Sequence, residues 1–156
     1  EAMLQGRCEY LLVDDFGKEI TTEFLEKYHF SEAEKKIAWY YCGGKPIILR
    51  KLINLKLSNE NVEEKAKEML MIRKGQIEEL IYSLEEKDRE RFEKVVKILK
   101  QFEENEIVRY KYLKKEIRFL VGKNIIFANP VVKVLKPQSN LDLLAIRDLV
   151  KNIEEN

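Results

Sequence analysis

The sequence is poor in the residues from which metal centres and disulfide frameworks are built. Two cysteines, Cys8 and Cys42, and a single histidine occur among 156 residues. Two cysteines cannot form a disulfide framework, and with one histidine they fall short of the four ligands of a structural zinc site. We therefore expect reduced thiols and no metal centre, as in a cytoplasmic protein.

Long stretches without charge are also missing. The longest is the nine residues 124–132, whereas a transmembrane helix needs about 20 apolar residues. No basic segment followed by an apolar run opens the sequence, which argues against a signal peptide. The first residue is not methionine, which favours a fragment of a longer chain. These observations predict a protein in solution with no membrane partner.

Charged residues are abundant, at 37% of the chain, and apolar residues make up 45%. The length fits one ordinary domain or two small ones with a real core. The charge is carried mainly by 21 Lys and 23 Glu, against 8 Arg, 5 Asp and 4 Gln. A Lys and Glu excess with few amides is typical of hyperthermophile proteins, so we expect a thermophilic source.

The net charge of +1 hides an uneven distribution along the chain. Residues 59–108 hold ten basic and fourteen acidic side chains, and residues 109–156 hold ten and five. Residues 109–136 contain eight basic side chains and a single acidic one, Glu116. Such an accumulation of like charge requires solvent, salt or an anionic partner.

The segment up to residue 58 predicts one strand followed by three helices. The apolar run 10–13 reads as a buried strand that lacks a partner within the chain. Thr21 or Thr22 can cap the first helix, and Ser31 with Glu34 forms a capping box for the second.

A glycine and proline turn separates the second and third helices. Gly43 and Gly44 end the second helix because glycine accepts the left-handed conformation at its C-terminus. Pro46 then takes the first position of the third helix, which runs from Ile47 to about Leu57. The three helices and the strand form the first predicted domain, residues 1–58.

Residues 59–156 form the second predicted domain. A long charged helix is expected from residue 59 to about 84, with a break at Gly75. Ser83 with Glu86 then caps a helix that Asn105 ends. A short basic helix follows and ends at Gly122.

The end of the second domain predicts a β-hairpin and a last helix. Residues 124–128 and 131–136 flank Asn129-Pro130 as the two strands of the hairpin. Ser139 with Asp142 caps the last helix. The expected fold is mainly α with a small β-hairpin, and the order helix, basic helix, hairpin, helix indicates a winged-helix domain.

No phosphate-binding loop is present in these residues. Gly43-Gly44-Lys45 is followed by Pro46, so the Ser or Thr hydroxyl that binds magnesium in G-x-x-x-x-G-K-[ST] is missing. No nucleophile, paired-carboxylate or histidine arrangement stands out either. The chain by itself is not expected to be catalytic, and no cofactor is expected for it alone.

The basic segment has two interpretations. The eight side chains could bind the phosphates of a nucleic acid, with the short helix in the major groove and the hairpin on the backbone. They could equally form a solvated face that complements the acidic helices or an acidic neighbouring domain. A helix-turn-helix also needs a further helix before the recognition helix, and residues 104–111 leave no room for one. The eight are Arg109, Lys111, Lys114, Lys115, Arg118, Lys123, Lys133 and Lys136.

Several phrases together resemble one protein family. Leu4-Gln5-Gly6-Arg7, the apolar run 10–13, Thr21 to Leu25, Ser31 to Glu34 and Tyr41 to Pro46 look like the back half of the archaeal ATPases. These are phosphate-loop NTPases of the AAA+/STAND type. The later run from Leu120 to Phe127, with Pro130, is similar to the winged-helix end of those proteins.

The resemblance implies a helical lid followed by a winged-helix domain. The lid turn would place Gly44 and Pro46 against the adenine of a bound nucleotide, and Arg7 near its phosphates. ATP or ADP with magnesium would be bound by the full-length protein, through an upstream phosphate-loop domain in the same or a separate chain. Hydrolysis is therefore not expected from these 156 residues alone.

Two other functions remain open at this point. The chain could be a stand-alone winged-helix protein that binds DNA through the basic segment. It could also be an interaction module that forms a homo-oligomer through the charged helix 59–84.

Overall fold

The computed structural model describes residues 15–156, so the predicted strand 10–13 lies outside the described residues. Within them the fold is mainly helical with a small three-stranded antiparallel sheet, which confirms the predicted fold class. The helices are α1 (Lys18–Glu26), α2 (Glu32–Cys42), α3 (Pro46–Leu57), α4 (Val62–Lys87), α5 (Arg89–Lys100), α6 (Lys115–Gly122) and α7 (Asn140–Glu155). The strands are β1 (Val108–Arg109), β2 (Ile126–Asn129) and β3 (Val134–Pro137).

Helix α1 begins earlier than the sequence indicates. Its N-cap is Gly17, so the prediction that Thr21 or Thr22 caps it is wrong. Thr21 is buried inside the helix, and the Thr22 hydroxyl donates to the carbonyl of Lys18 at 2.8 Å. A threonine hydroxyl can either cap a helix or bond a carbonyl one turn earlier inside it. The sequence alone does not distinguish these two roles.

The caps of α2 and α7 are as predicted. The Ser31 hydroxyl accepts from the Glu34 N–H at 3.1 Å, and the Glu34 carboxylate accepts from the Ser31 N–H at 2.9 Å. The Ser139 hydroxyl accepts from the Asp142 N–H at 3.1 Å. Both capping predictions are confirmed.

Helix α4 is longer than predicted. It runs without a break through Gly75 and Ser83, so the predicted break and the predicted cap are both wrong. The Asp88 side chain caps α5 instead, accepting from the Arg91 N–H at 3.1 Å. The predicted stop at Asn105 also falls late, because α5 ends at Lys100.

Two clusters of buried side chains form the interior, and α4 contributes to both. In the first core, Val62 and Ala66 of α4 pack with residues of α1, α2 and α3, including Leu25 and Leu49. In the second core, Ile77 and Ile81 of α4 pack with α5, α6, the sheet and α7. The boundary near residue 58 stays a prediction.

The sheet has the order β1-β3-β2. The hairpin of β2 and β3 was predicted, and β1 was not. Val108 pairs with Leu135 and Arg109 with Val134, which adds the strand at the open edge of β3. Val108 and Leu135 are buried against the second core.

None of the helices within residues 15–156 combines the length and the apolar character that a membrane span requires.

Candidate nucleotide and nucleic-acid sites

The turn between α2 and α3 is the first candidate site. Gly43 has φ +58°, a backbone conformation that glycine adopts at little cost. Pro46 is the first residue of α3, as predicted, and is half-buried. Its fixed φ suits that position, where its missing N–H would have no helical partner. The turn is thus set by local backbone chemistry.

Gly44 lies against the backbone of Phe16. A Cβ built on Gly44 would come within 1.8 Å of the Phe16 carbonyl oxygen. The Phe16 N–H donates to the Gly44 carbonyl at 2.8 Å. Glycine is required here because two backbone segments touch, a contact that the sequence did not indicate beside the turn and the adenine contact assigned to Gly44. Lys45 lies beside the same segment, with its Nζ 3.9 Å from a carboxylate oxygen of Asp15.

A groove of about 290 Å³ adjoins Gly44. Phe16, Trp39 and Asn140 line it, and so does Lys136 from β3. The structure therefore brings Gly44 and Lys136 together, although the sequence assigned them to different ligands. Pro46 is not part of the described lining of this groove. Arg7, the third residue assigned to the nucleotide, lies outside the described residues.

Helix α7 begins directly against the end of α2. The Asn140 side-chain amide donates to the Tyr40 carbonyl. A Cβ on Gly43 would lie 3.1 Å from the Asn140 Cβ, so the two backbones approach closely here. This contact joins the turn between α2 and α3 to the second core.

An ionic cluster joins α4 to the same end of α7. Arg73 donates through Nε to the carboxylate of Asp142, which is 5% exposed. The Arg73 Nη2 donates to the Asn124 carbonyl at 2.9 Å, and the Ser139 hydroxyl donates to Asp142 at 2.6 Å. Sequence reasoning gave Asp142 only a capping role and missed Arg73, which is 69 residues away.

All eight basic residues of the second candidate site are exposed. None of them forms an ion pair with any residue in the part of the chain that the structure describes. Direct pairing with the acidic helices, one part of the alternative interpretation, therefore does not occur among these residues.

The eight residues do not form one continuous patch. Arg109 pairs with Val134, which places Arg109 and Lys136 on the outer face of the sheet, opposite the buried Leu135. The Lys133 ammonium donates to the Lys111 carbonyl at 3.2 Å beside the hairpin loop. The cations of this group thus follow the sheet and the loop of the hairpin.

The other four cations belong to α6 and its flanks. Lys115 and Arg118 lie on the exposed side of α6, opposite the buried Ile117 and Leu120. Lys114 precedes the helix, with its Nζ 5.6 Å from the centroid of the Tyr112 ring. Lys123 follows the helix and lines a different groove with Arg73 and Arg91.

Metal ligands and reactive thiols are the remaining groups to consider within residues 15–156. No group of three or more His, Cys, Asp or Glu side chains within residues 15–156 could hold a metal ion. Burial raises the pKa of the Cys42 thiol to about 12. That thiol stays protonated at neutral pH, and a protonated thiol is a poor nucleophile.

The chain is similar to several known proteins. A family model described as "Uncharacterized ATP-binding protein MJ1010-like, C-terminal domain" matches residues 63–150. Uncharacterized ATP-binding protein MJ1659 of Methanocaldococcus jannaschii is 45% identical over 99% of this chain and 43% of its own length.

Two proteins of Pyrococcus abyssi are also similar to this chain over nearly its whole length. Uncharacterized ATP-binding protein PYRAB09480 is 45% identical over 99% of this chain and 44% of its own length. Uncharacterized ATP-binding protein PYRAB12000 is 41% identical over 100% of this chain and 46% of its own length. The chain thus spans less than half the length of the relatives it matches.

Proposed function

We propose, since this chain belongs to the family of the C-terminal domain of MJ1010-like ATP-binding proteins, that it is the lid and winged-helix part of an archaeal ATPase. In this proposal α1, α2 and α3 form the lid, and the second core with the hairpin forms the winged helix. The phosphate-loop domain of the AAA+/STAND type would precede them, in the same or a separate chain. That domain would bind ATP or ADP with magnesium, which supplies the charge that stabilises phosphoryl transfer.

The observation that carries the proposal is the contact between Gly44 and Phe16. The lid turn touches the segment that continues from the residues before 15, which the proposal assigns to the last strand of the nucleotide-binding core. A lid turn at the edge of that core is in a position to contact the base of a bound nucleotide. Gly44 would contribute its backbone and Pro46 a flat apolar ring against adenine. Arg7 would approach the phosphates.

Two contacts support coupling between the lid and the winged helix, one from the lid itself and one from α4, which packs in both cores. Asn140 bonds the end of α2 to the start of α7, and Arg73 bonds α4 to Asp142 of α7. A movement of the lid would therefore displace α7 and the elements packed on it together. Closure of a domain around a ligand is a common way in which nucleotide state changes the position of a distant surface.

The test compares two proline variants in the full-length protein. Pro46→Ala removes the ring that is proposed to contact adenine, and Pro130→Ala removes a proline from the hairpin loop as the control. We expect Pro46→Ala to weaken ATP binding by about fivefold, because roughly 1 kcal/mol of apolar contact is lost. Binding of GTP should change less, and titration calorimetry with both nucleotides measures the difference.

Equal ATP affinities for Pro46→Ala and Pro130→Ala would contradict the adenine contact. Magnesium-dependent ATP turnover by the 156-residue chain alone would contradict the assignment of the phosphate site to an upstream domain.

A second candidate function is binding of duplex DNA. The observation in its favour is the set of eight exposed cations, none of which is ion-paired within residues 15–156. Helix α6 would enter the major groove, and the hairpin cations would contact the backbone. Binding should weaken steeply with salt, since each neutralised phosphate releases about 0.9 counterion.

The duplex candidate is tested with Lys114→Ala and Lys115→Ala, against Lys151→Ala in α7 as the control. Each of the first two should lower the slope of log affinity against log salt by about 0.9. Binding that is absent, or that does not depend on salt, would exclude this function.

A further inference from the structure

A third groove lies between α5 and the residues that lead into α6. Its volume is about 590 Å³. Lysines contribute most of its charge, two from α5 and two from the entry to α6, and Glu116 is the one acidic residue of the lining. The full lining is Lys94, Lys97, Ile98, Gln101, Tyr112, Lys114, Lys115 and Glu116.

The α5 side of this groove is one face of the helix. Lys94, Lys97 and Gln101 recur at spacings of three and four residues, which places them on the same side. The buried residues Val95 and Leu99 point into the second core. The side of α5 that carries Lys94, Lys97 and Gln101, called the lysine face below, therefore points away from the core.

That face is open because of how the chain connects α5 to α6. In a helix-turn-helix another helix precedes the recognition helix and packs beside it. Residues 101–114 form only strand β1 and irregular backbone, so no helix of the described chain covers this side of α5.

The chemistry of the groove fits an anionic chain with flat rings. Lys94 pairs with Glu90 at 3.0 Å, whereas Lys97 and Lys115 have no ion-pair partner within residues 15–156. Tyr112 is 64% exposed, which leaves aromatic surface open to solvent. Exposed aromatic rings beside lysines are the means by which proteins bind single-stranded nucleic acids, through stacked bases and paired phosphates.

We propose that this groove binds single-stranded nucleic acid. A base stacks on the Tyr112 ring, and consecutive phosphates pair with Lys97 of α5 and with Lys115 of α6. Ile98 and Tyr112 are the apolar side chains of the lining, beside four lysines. The groove therefore does not suit the apolar face of an amphipathic helix from a protein partner. The site shares Lys114 and Lys115 with the duplex candidate, and Tyr112 and the α5 lysines are what distinguish it.

The test measures binding of a short fluorescent oligothymidylate to the full-length protein at several salt concentrations. Tyr112→Leu should weaken binding about tenfold, the loss of one stacked base. Lys97→Gln should lower the slope of log affinity against log salt by about 0.7, the value for one phosphate of a single strand. Tyr40→Leu is the control for an exposed tyrosine, at 58% exposure, and Lys151→Gln for an exposed lysine.

The proposal is overturned if Tyr112→Leu and Tyr40→Leu bind the oligonucleotide equally. It is also overturned if only duplex DNA binds, with loss on Arg118→Gln and none on Tyr112→Leu, or if an acidic peptide binds where the oligonucleotide does not. The measurement needs no ATP and should be unchanged in Pro46→Ala. Its failure is therefore distinguishable from failure of the proposed ATP site.

Discussion

At the scale of single residues, the turn between α2 and α3 shows how two neighbouring glycines serve different purposes. Gly43 ends α2 with φ +58° and ψ −142°, which is not the predicted left-handed helical conformation but is one that glycine adopts at little cost. Gly44 has no room for a side chain, because the Phe16 carbonyl oxygen occupies that space. The first purpose can be read from sequence, and the second depends on a segment that is distant in the chain.

Gly44→Ala should lower the free energy of unfolding by about 2 kcal/mol, the usual cost of forcing extra volume into a filled site. Gly75→Ala is the matched control, since nothing lies within 4 Å of a Cβ there and the residue is inside α4. That change should stabilise the protein by about 0.5–1 kcal/mol. Urea unfolding of both variants measures the contrast, and equal values would show that Phe16 does not hold this position.

At the scale of elements, α4 is the helix on which sequence reasoning was least accurate. Gly75 and Ser83 both weaken a helix on average, and each was given a boundary. Burial of Ile77 and Ile81 between other helices overrides those preferences, because helical stability in proteins comes mainly from packing. The real boundary is Asp88, whose side chain caps α5.

Asp88→Ala should destabilise the protein by about 1 kcal/mol, because the Arg91 N–H loses its partner. Ser83→Ala is the control at the position where the sequence predicted the cap. It should change stability by less than about 0.5 kcal/mol, since that side chain is exposed within a continuous helix. Thermal unfolding followed by circular dichroism compares the two. A larger loss of stability from Ser83→Ala than from Asp88→Ala would contradict the assignment of the cap to Asp88.

The strand β1 is a further element that the sequence did not indicate. It has only two residues, Val108 and Arg109, which is too short for an alternation pattern. It exists because the outer edge of β3 offers hydrogen bonds to the backbone that passes beside it.

At the scale of the whole molecule, α4 and the Arg73 cluster connect the two cores. Asp142 is nearly buried, and Arg73 is the cation that neutralises it. Loss of the cation beside a buried carboxylate strongly destabilises the folded protein, whereas an exposed ion pair contributes little to its stability.

Arg73→Met should therefore lower the free energy of unfolding by about 3 kcal/mol. Lys74→Met is the neighbouring control, because it removes pairs with Asp148 at 2.9 Å and Glu78 at 3.6 Å, and both carboxylates are more exposed than that of Asp142. Its cost should stay below about 1 kcal/mol. Urea unfolding distinguishes the two, and similar costs would mean that the Asp142 carboxylate finds solvent or another donor once Arg73 is removed.

The sequence by itself determined what depends on neighbours along the chain. The capping box at Ser31, the proline start of α3, the hairpin around Asn129 and the cap at Ser139 all follow from contacts within a few residues. The resemblance to archaeal ATPases, stated from short phrases, is confirmed as far as the family of archaeal ATP-binding proteins.

Only the tertiary structure decided what depends on residues far apart in sequence. It placed Gly44 against Phe16 and in one groove with Lys136, paired Arg73 with Asp142, and left the lysine face of α5 uncovered. No local sequence pattern predicts these arrangements. Each involves residues 28 to 92 positions apart in sequence, or a helix face that no other helix covers. The candidate basic residues were readable as a charge count, but their division between the sheet, α6 and the groove was not.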